Sequence, residues 1–371
     1  MTRTGTADAE RIRPASLRLE AASVCQLKCP ACPTPDGVIR RHIGGALLTF
    51  ESFRRLLDDN PHIADVELSN WGEMFLNREL TRIIRYAFDR GVALRADNGV
   101  NLNTVGDDVL EALVRYKFRS LRCSIDGATP ATYAIYRRGG DFDTVIRHIR
   151  RINFYKQQYD SMYPYLTWQF IAFPHNTHEI EAARALAGEL GMGFWVKLPW
   201  DAEPAATPED AAAVRRETGA ASVEEYRDTF GKPYMADRYC GQLWNRPQVH
   251  TDGKVLGCCV NYWGDFGNAF RDGLDATLNG ERMRYARRML EGKVDARDDI
   301  PCARCSVYAE MQRTQSWLDG TRIASTSWRL RLRRNRLTNR MVNLFVNRPV
   351  YAALESIGLR IGVIRREPEA Y

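Results

Sequence analysis

Short apolar runs alternate with longer amphipathic stretches from residue 17 to residue 198. The β-rich runs are 17–22, 65–69, 92–96, 121–125, 166–173 and 194–197. Between them apolar residues recur every three or four positions, which predicts helices over 50–57, 80–88, 108–116, 142–155 and 179–190. Successive strand–helix units require a parallel sheet with right-handed crossovers. The pattern therefore predicts an α/β fold, a partial, TIM-like (β/α)6 barrel.

Polar segments follow the predicted strands at their carboxyl ends. They are a cysteine-containing loop, Trp71-Gly72-Glu73, Asn98-Gly99 and Ser124-Ile125-Asp126-Gly127. In a parallel barrel these ends meet at one mouth, so we expect the four segments to form one site. Around the ends of strands five and six, four further residues are predicted to meet substrate: His175, Asn176, Trp195 and Lys197.

The first cysteine group has the spacing C-x3-C-x2-C, formed by Cys25, Cys29 and Cys32. Three thiolates can bind three irons of a 4Fe-4S cluster and leave the fourth iron open to another molecule. A structural zinc site usually has four protein ligands. The spacing therefore favours a reactive iron–sulfur cluster over zinc or over three unrelated buried thiols.

A second cysteine group lies between residues 240 and 305. It offers Cys240, Cys258 or Cys259, Cys302 and Cys305. Four thiolates can saturate an iron–sulfur cluster that accepts or relays an electron. A four-cysteine zinc site remains the alternative, since a C-x2-C element binds either metal.

Composition and charge predict the cellular compartment and a basic C-terminal tail. The polar N-terminus and the lack of a long apolar run predict a cytoplasmic protein, where nine cysteines favour metal or redox chemistry over disulfides. The full chain has a net charge of +7. Residues 321–371 carry eleven arginines and three glutamates, a net charge of +8, so residues 1–320 have a net charge of −1. We expect this tail to form helices with a positive face, which could bind an anionic ligand, an acidic membrane surface, a partner or RNA. The alternative is a solubilising face whose arginines pair with carboxylates of the body.

With its motifs in this order, residues 17–310 resemble the radical S-adenosylmethionine (SAM) superfamily, in particular members with a C-terminal SPASM or twitch domain. The resemblance implies that SAM binds the open iron and is reductively cleaved to a 5'-deoxyadenosyl radical, which abstracts hydrogen from substrate. It also implies two 4Fe-4S clusters, one SAM-binding and one auxiliary, and a reductant such as flavodoxin or ferredoxin.

The resemblance also assigns roles to residues. Cys25, Cys29 and Cys32 resemble the ligands of the SAM-binding cluster, and Cys240, Cys258, Cys302 and Cys305 those of the auxiliary one. SAM-binding positions are matched by Gly72, Glu73, Asn98, Ser124 and either Arg137 or Arg138. Cys259 is the candidate catalytic residue, a hydrogen-atom donor as in family epimerases, or else a small buried strand residue. Taken singly, the glycines also suit turns, Ser124 also suits a helix cap, and Arg137 with Arg138 also suit a solvated face.

The sequence thus divides into an N-terminal extension (1–16), the barrel (17–200), a connector (201–238), the auxiliary-cluster domain (239–310) and a basic, helical tail (311–371). We expect oxidation, by dehydrogenation, of a small polar biosynthetic metabolite. Epimerisation, peptide modification, RNA modification and a non-catalytic metal scaffold remain alternatives. Peptide modification ranks lower because residues 1–16 are few for a leader-recognition domain.

Overall fold

One eight-stranded sheet organises the protein. The computed structural model describes residues 11–199, 207–323 and 335–345. The strand order is β6-β5-β4-β3-β2-β1-β7-β8. All neighbours pair in parallel except β8, which is antiparallel to β7. The strands are β1 (Ser16–Leu19), β2 (Asp65–Glu67), β3 (Ala93–Val100), β4 (Ser120–Ser124), β5 (Tyr165–Ile171), β6 (Gly193–Lys197), β7 (Gln248–Val249) and β8 (Val255–Gly257).

Helices connect the barrel strands and continue into the C-terminal part. In the barrel they are α1 (Val38–Ile43), α2 (Phe50–Asp59), α3 (Leu80–Arg90), α4 (Asp107–Arg115), α5 (Pro130–Tyr136), α6 (Phe142–Gln158) and α7 (Ile180–Glu189). Beyond it lie α8 (Pro208–Thr218), α9 (Val223–Phe230), α10 (Ala236–Cys240), α11 (Gln242–Asn245), α12 (Leu274–Leu278), α13 (Glu281–Leu290), α14 (Ser306–Thr314) and α15 (Arg336–Phe345). Short 3-10 helices occupy Met74–Leu76, Thr177–Glu179 and Pro301–Arg304.

Local sequence explains these elements. Thr49 caps α2, since its side chain accepts a hydrogen bond from the Ser52 amide at 3.1 Å. Alternate strand residues such as Leu17, Leu94 and Leu121 are fully or almost fully buried in the main hydrophobic core. The predicted α/β class and parallel, TIM-like barrel are confirmed, as the comparisons below support.

The opposite face of the sheet is polar. Arg95 forms an ion pair with Asp65 at 2.7 Å, and the Glu67 carboxylate accepts hydrogen bonds from the Asp97 amide at 2.8 and 2.9 Å. Arg18 donates to Gln248 at 2.8 Å. A polar interior suits a barrel that binds a polar molecule rather than one filled by aliphatic layers.

The first strand differs from the prediction in two ways. It ends at Leu19, and Ala22 forms only an isolated bridge with Leu47. The edge of β1 that faces away from β2 pairs with β7, so the C-terminal part continues the barrel sheet. The sequence suggested a second module but gave no indication of this shared sheet, because β7 is only two residues long.

Helix α15 covers the end of the barrel opposite the carboxyl ends of the strands. Arg336 donates to the carbonyl oxygens of Leu57 at 2.7 Å and Ile63 at 2.9 Å. Asn339 donates to those of Ala64 and Gly91, which precede β2 and β3. These arginine contacts are to main-chain carbonyls, not to carboxylates. Most of the basic segment, 324–334 and 346–371, lies outside the described residues.

Replacing Asn339 by alanine should destabilise the fold. The side chain is buried and satisfies two carbonyls, at 2.7 and 3.0 Å, so its loss should cost about 1–3 kcal/mol of unfolding free energy. The matched control is Leu337→Ala on the same helix, where the side chain is 71% exposed and the change should stay within about 0.5 kcal/mol. Urea unfolding measures both, and equal effects would contradict this docking.

Candidate functional site

The loop after β1 brings Cys25, Cys29 and Cys32 to the mouth of the barrel. Its turn is closed by the Cys32 amide, which donates to the Cys29 carbonyl at 3.1 Å. Asn101, just after β3, places its Nδ2 3.7 Å from Cys25 Sγ and accepts a hydrogen bond from Gln26 at 2.9 Å. Asn101 was missed from the sequence, although it directly follows Asn98-Gly99-Val100.

The three cysteines are free thiols in a largely desolvated place. Burial raises the pKa of Cys25 to about 12, and the nearby charges of Glu73, Cys29 and Cys32 raise it further. Burial also raises the pKa of Cys29, against the opposing charge of Arg137. Burial thus favours the neutral thiols of Cys25 and Cys29, and a bound metal cluster would supply the positive charge that stabilises their thiolate form.

Arg137 and Arg138 are separated by the fold. Arg137 is mostly buried, pairs with Asp126 at 2.6 Å and places Nη1 3.8 Å from Cys29 Sγ. The Arg138 side chain is exposed and donates to the Ile135 carbonyl at 3.3 Å, while its own carbonyl accepts from the Lys28 amide at 2.9 Å. Among the described contacts, the side chain of Arg137 lies beside a cysteine of the loop, whereas Arg138 meets the loop through its backbone.

The segment Trp71-Gly72-Glu73 packs directly on the chain that follows β1. A Cβ on Gly72 would lie 2.1 Å from the Ala22 carbonyl oxygen, so no other residue fits without displacing backbone. The amides of Trp71 and Gly72 donate to one Glu20 carboxylate oxygen at 2.6 and 3.0 Å. The other oxygen lies 3.0 Å from His250 Nδ1, so Glu20 ties this loop to the C-terminal part.

The Glu73 side chain turns inward and has a supporting role. Its carboxylate accepts hydrogen bonds from the amides of Asn101 at 2.6 Å and Phe75 at 3.1 Å. Burial raises the pKa of Glu73 to about 7 despite these bonds. The carboxylate thus fixes the chain after β3 against this loop, and only the Glu73 backbone remains a predicted SAM contact.

Asn98, Gly99 and Ser124 lie on neighbouring strands at the mouth. Gly99 has φ +128°, and a Cβ there would lie 2.4 Å from Ser124 Oγ. Gln169 on β5 donates to that hydroxyl at 3.4 Å. Asn98 donates from its amide to Ser69 Oγ at 3.0 Å and from Nδ2 to Asn70 at 3.2 Å. Because Gly99 has no Cβ, the Ser124 hydroxyl can lie directly beside the backbone of residue 99.

The four residues predicted to meet substrate differ in their surroundings. Asn176 is fully buried and donates to the carbonyls of Asp126 and Ile171 at 3.2 and 2.9 Å, so it braces a turn rather than facing substrate. His175 stacks on Phe173 with ring centroids 5.4 Å apart. Trp195 and Lys197 are half-buried on the polar face of β6. The expectation thus remains open only for these two and His175.

The second cysteine group converges in the C-terminal part. Burial raises the pKa of Cys240 well above its usual value, and the neighbouring charges of Cys258, Cys305, Cys302 and Cys259 add to the effect. Cys302 lies within the last 3-10 helix, and Cys305 directly follows it. Four thiols from three segments fit the predicted auxiliary cluster by donor chemistry. Among the described residues no group of three or more Cys, His, Asp or Glu closes around a single ion.

Cys258 and Cys259 differ in surroundings. Both lie just beyond β8 rather than within a strand. Cys259 donates from its amide to Gln242 Oε1 at 2.8 Å, and Gln242 Nε2 lies 3.3 Å from its sulfur. Its sulfur also lies within electrostatic reach of Lys197 and Tyr239, which places it on the barrel side. Cys302 and Cys305 lie within electrostatic reach of Cys258.

Comparison with known proteins agrees with this arrangement. The model of the SPASM iron–sulfur cluster-binding domain matches residues 240–306, which contain all five C-terminal cysteines. The Streptococcus suis protein SuiB bound to SAM superposes with a TM-score of 0.57 at 13% identity, covering 80% of this chain and 71% of that one. Residues 240–306 therefore match the SPASM domain, and the chain shares the fold of SuiB.

A second solved structure gives the same fold. SuiB bound to the precursor peptide SuiA superposes with a TM-score of 0.58 at 12% identity, covering 81% of this chain and 72% of that one. No curated protein matches the chain in sequence. Within the described residues, no helix has the length and apolar character needed to span a membrane. The fold and the SPASM domain that the resemblance implies are therefore confirmed.

Proposed function

We propose that the protein uses SAM to generate a 5'-deoxyadenosyl radical and thereby dehydrogenates a small polar biosynthetic metabolite in the cytoplasm. The observation that carries the proposal is the convergence of Cys25, Cys29 and Cys32 with Arg137 and the Gly72 loop at the mouth of a polar barrel. A SPASM domain adjoins that barrel through β1 and β7. A flavodoxin or ferredoxin would serve as reductant.

When bound, the first cluster would supply the electron that cleaves SAM, and the auxiliary cluster would accept one from the substrate. The residues of the chain bind and orient. Arg137, fixed by Asp126, directs its remaining guanidinium donors toward the cysteine loop, where a carboxylate of SAM is expected. Ser124 offers a hydroxyl next to Gly99 for a ribose. Glu20 holds the amides of Trp71 and Gly72, and the Trp71 carbonyl accepts from Thr34 Oγ1 at 2.8 Å, so the Gly72 carbonyl is the one proposed to accept an amino group.

The test is anaerobic reconstitution followed by reduction with SAM. Eight irons per chain and formation of 5'-deoxyadenosine would support the proposal. A colourless protein that binds zinc through its C-terminal cysteines and yields no 5'-deoxyadenosine would contradict it and favour the metal-scaffold alternative.

Epimerisation is the second candidate reaction, and the position of Cys259 supports it. An epimerase needs a hydrogen atom donated to the substrate radical, and a thiol exchanges its hydrogen with solvent. Cys259 lies on the barrel side of the second cysteine group, within electrostatic reach of Lys197. Peptide modification stays an alternative because SuiB has been solved with a precursor peptide. RNA modification depends on the basic tail, most of which lies outside the described residues.

Turnover in deuterated water should separate the two reactions. For oxidation we expect no solvent deuterium at the reacting carbon, one SAM consumed per product, and little effect of Cys259→Ala. Cys123→Ala is the matched control, since that thiol is fully buried in the barrel core. Mass spectrometry of the product measures the label. Deuterium that is incorporated by wild type and by the Cys123 variant, but lost in the Cys259 variant, would establish epimerisation instead.

A further inference from the structure

Three cationic side chains gather around one indole on the polar face of the barrel. The guanidinium carbon of Arg122, on β4, lies 4.3 Å from the Trp195 ring centroid, and that of Arg238, on α10, lies 5.4 Å from it. Lys197 follows Trp195 by two residues on β6, so both side chains are on the same face of the strand. All four residues are half-buried, so the group is partly shielded from solvent.

Three carboxylates act on this group, Asp97 and Glu67 on Arg122 and Asp126 on Lys197, and two of the three also face other cations. Asp126 is held by Arg137 at 2.6 Å. The charge of Asp97 is shared among Arg95, Arg122 and Arg246. Arg122 donates from Nη1 to the Asp97 main-chain carbonyl at 2.8 Å, and its Nε is buried without a hydrogen-bond partner in the described part of the chain. Among the described residues, Arg122, Lys197 and Arg238 together with Arg95, Arg137 and Arg246 outnumber these three carboxylates.

The electrostatics of Lys197 agree with this excess. Burial lowers the pKa of Lys197 to about 8, and the charges of Arg238 and Arg122 lower it further, while Cys259 and Asp126 oppose the shift. Like charges collected in a partly desolvated place are unfavourable unless an anion binds among them. The indole of Trp195 holds the two guanidinia in position and adds a flat apolar surface.

We propose that Arg122, Lys197 and Arg238 bind an oxyanion group of the substrate, a carboxylate or a phosphate, against Trp195. This rests on the proposed function and narrows it, since it makes the small polar substrate an anionic one. The site lies on the same barrel face as Ser124 and Gln169, which pair in register with Trp195 across β4, β5 and β6. The anion would thus anchor the substrate beside the predicted SAM contacts and on the side where Cys259 lies.

The test uses thermal unfolding of the full reconstituted chain. Inorganic phosphate and succinate are each compared with sodium chloride at equal ionic strength. We expect one or both to raise the Tm of wild type, and we expect Arg238→Gln to weaken the apparent affinity at least about tenfold, because a charge-assisted bond is lost. Arg238→Lys should recover part of the affinity. Arg288→Gln, an exposed change on α13, is the matched control and should behave as wild type.

Each outcome decides the proposal. A response to phosphate alone assigns a phosphorylated substrate, and a response to succinate alone a carboxylate. No response in wild type, or the same response in all variants, overturns the anion site. Formation of 5'-deoxyadenosine by the wild type is measured in parallel. Cleavage without anion binding removes only the anion site, whereas anion binding without cleavage contradicts the proposed function and leaves the site in place.

Discussion

Replacing Cys25, Cys29 and Cys32 together by alanine should abolish formation of 5'-deoxyadenosine. The three thiols are the cysteines of the loop after β1, and the other described cysteines belong to the barrel core or to the C-terminal part. Reconstituted wild type should hold about eight irons and the variant about four, because Cys240, Cys258, Cys302 and Cys305 remain. Iron analysis and chromatography of the reaction mixture measure both quantities.

The matched control is the removal of the second group. A variant with alanine at Cys302 and Cys305 should also lose about four irons but should keep the first cluster and the cleavage of SAM. Both groups are predicted to bind iron, so loss of metal alone does not distinguish them, whereas loss of cleavage does. A triple variant that still formed 5'-deoxyadenosine would refute the assignment of the N-terminal cysteines.

The sequence predicted those parts of the fold that are encoded locally. Strand runs such as 166–173 and 194–197 are apolar and β-branched or aromatic over most of their length, and they appear as β5 and β6. Positions where geometry admits only glycine were also visible. Gly72 and Gly99 stood in motifs at strand ends, and each now has a backbone or hydroxyl group where a Cβ would lie.

Contacts between distant segments were not encoded in any local pattern. Glu20 and His250 are 230 residues apart, and neither carries a periodic or motif signal, yet together they connect the Gly72 loop to the C-terminal part. The same holds for Asn339 on the carbonyls before β2 and β3. Asn176 was assigned to substrate because it follows β5, but a turn after a strand needs its own hydrogen-bond donors, and Asn176 supplies them.

The choice between Arg137 and Arg138 shows how far geometry goes beyond the motif. In sequence the two arginines are adjacent and equivalent. In the structure Arg137 is 12% exposed and faces a fully buried Asp126, whereas Arg138 points to solvent. Burial raises the pKa of the Asp126 carboxyl, because it disfavours the charged form. The charge of Arg137 is the main influence that lowers this pKa. Removal of Arg137 therefore leaves that carboxyl without its partner.

We expect Arg137→Met to lower the unfolding free energy by about 3–5 kcal/mol, the usual cost of breaking a buried ion pair from one side. It should also weaken SAM binding, because the guanidinium beside Cys29 is lost. Arg138→Met should change stability by no more than about 0.5 kcal/mol, and should bind SAM as wild type does. The double variant Arg137→Met with Asp126→Leu removes the stranded carboxyl and should regain part of the stability without regaining SAM affinity. Equilibrium unfolding and SAM titration measure the two effects separately, and a SAM affinity that returned with stability would show that Arg137 acts only as a structural ion pair.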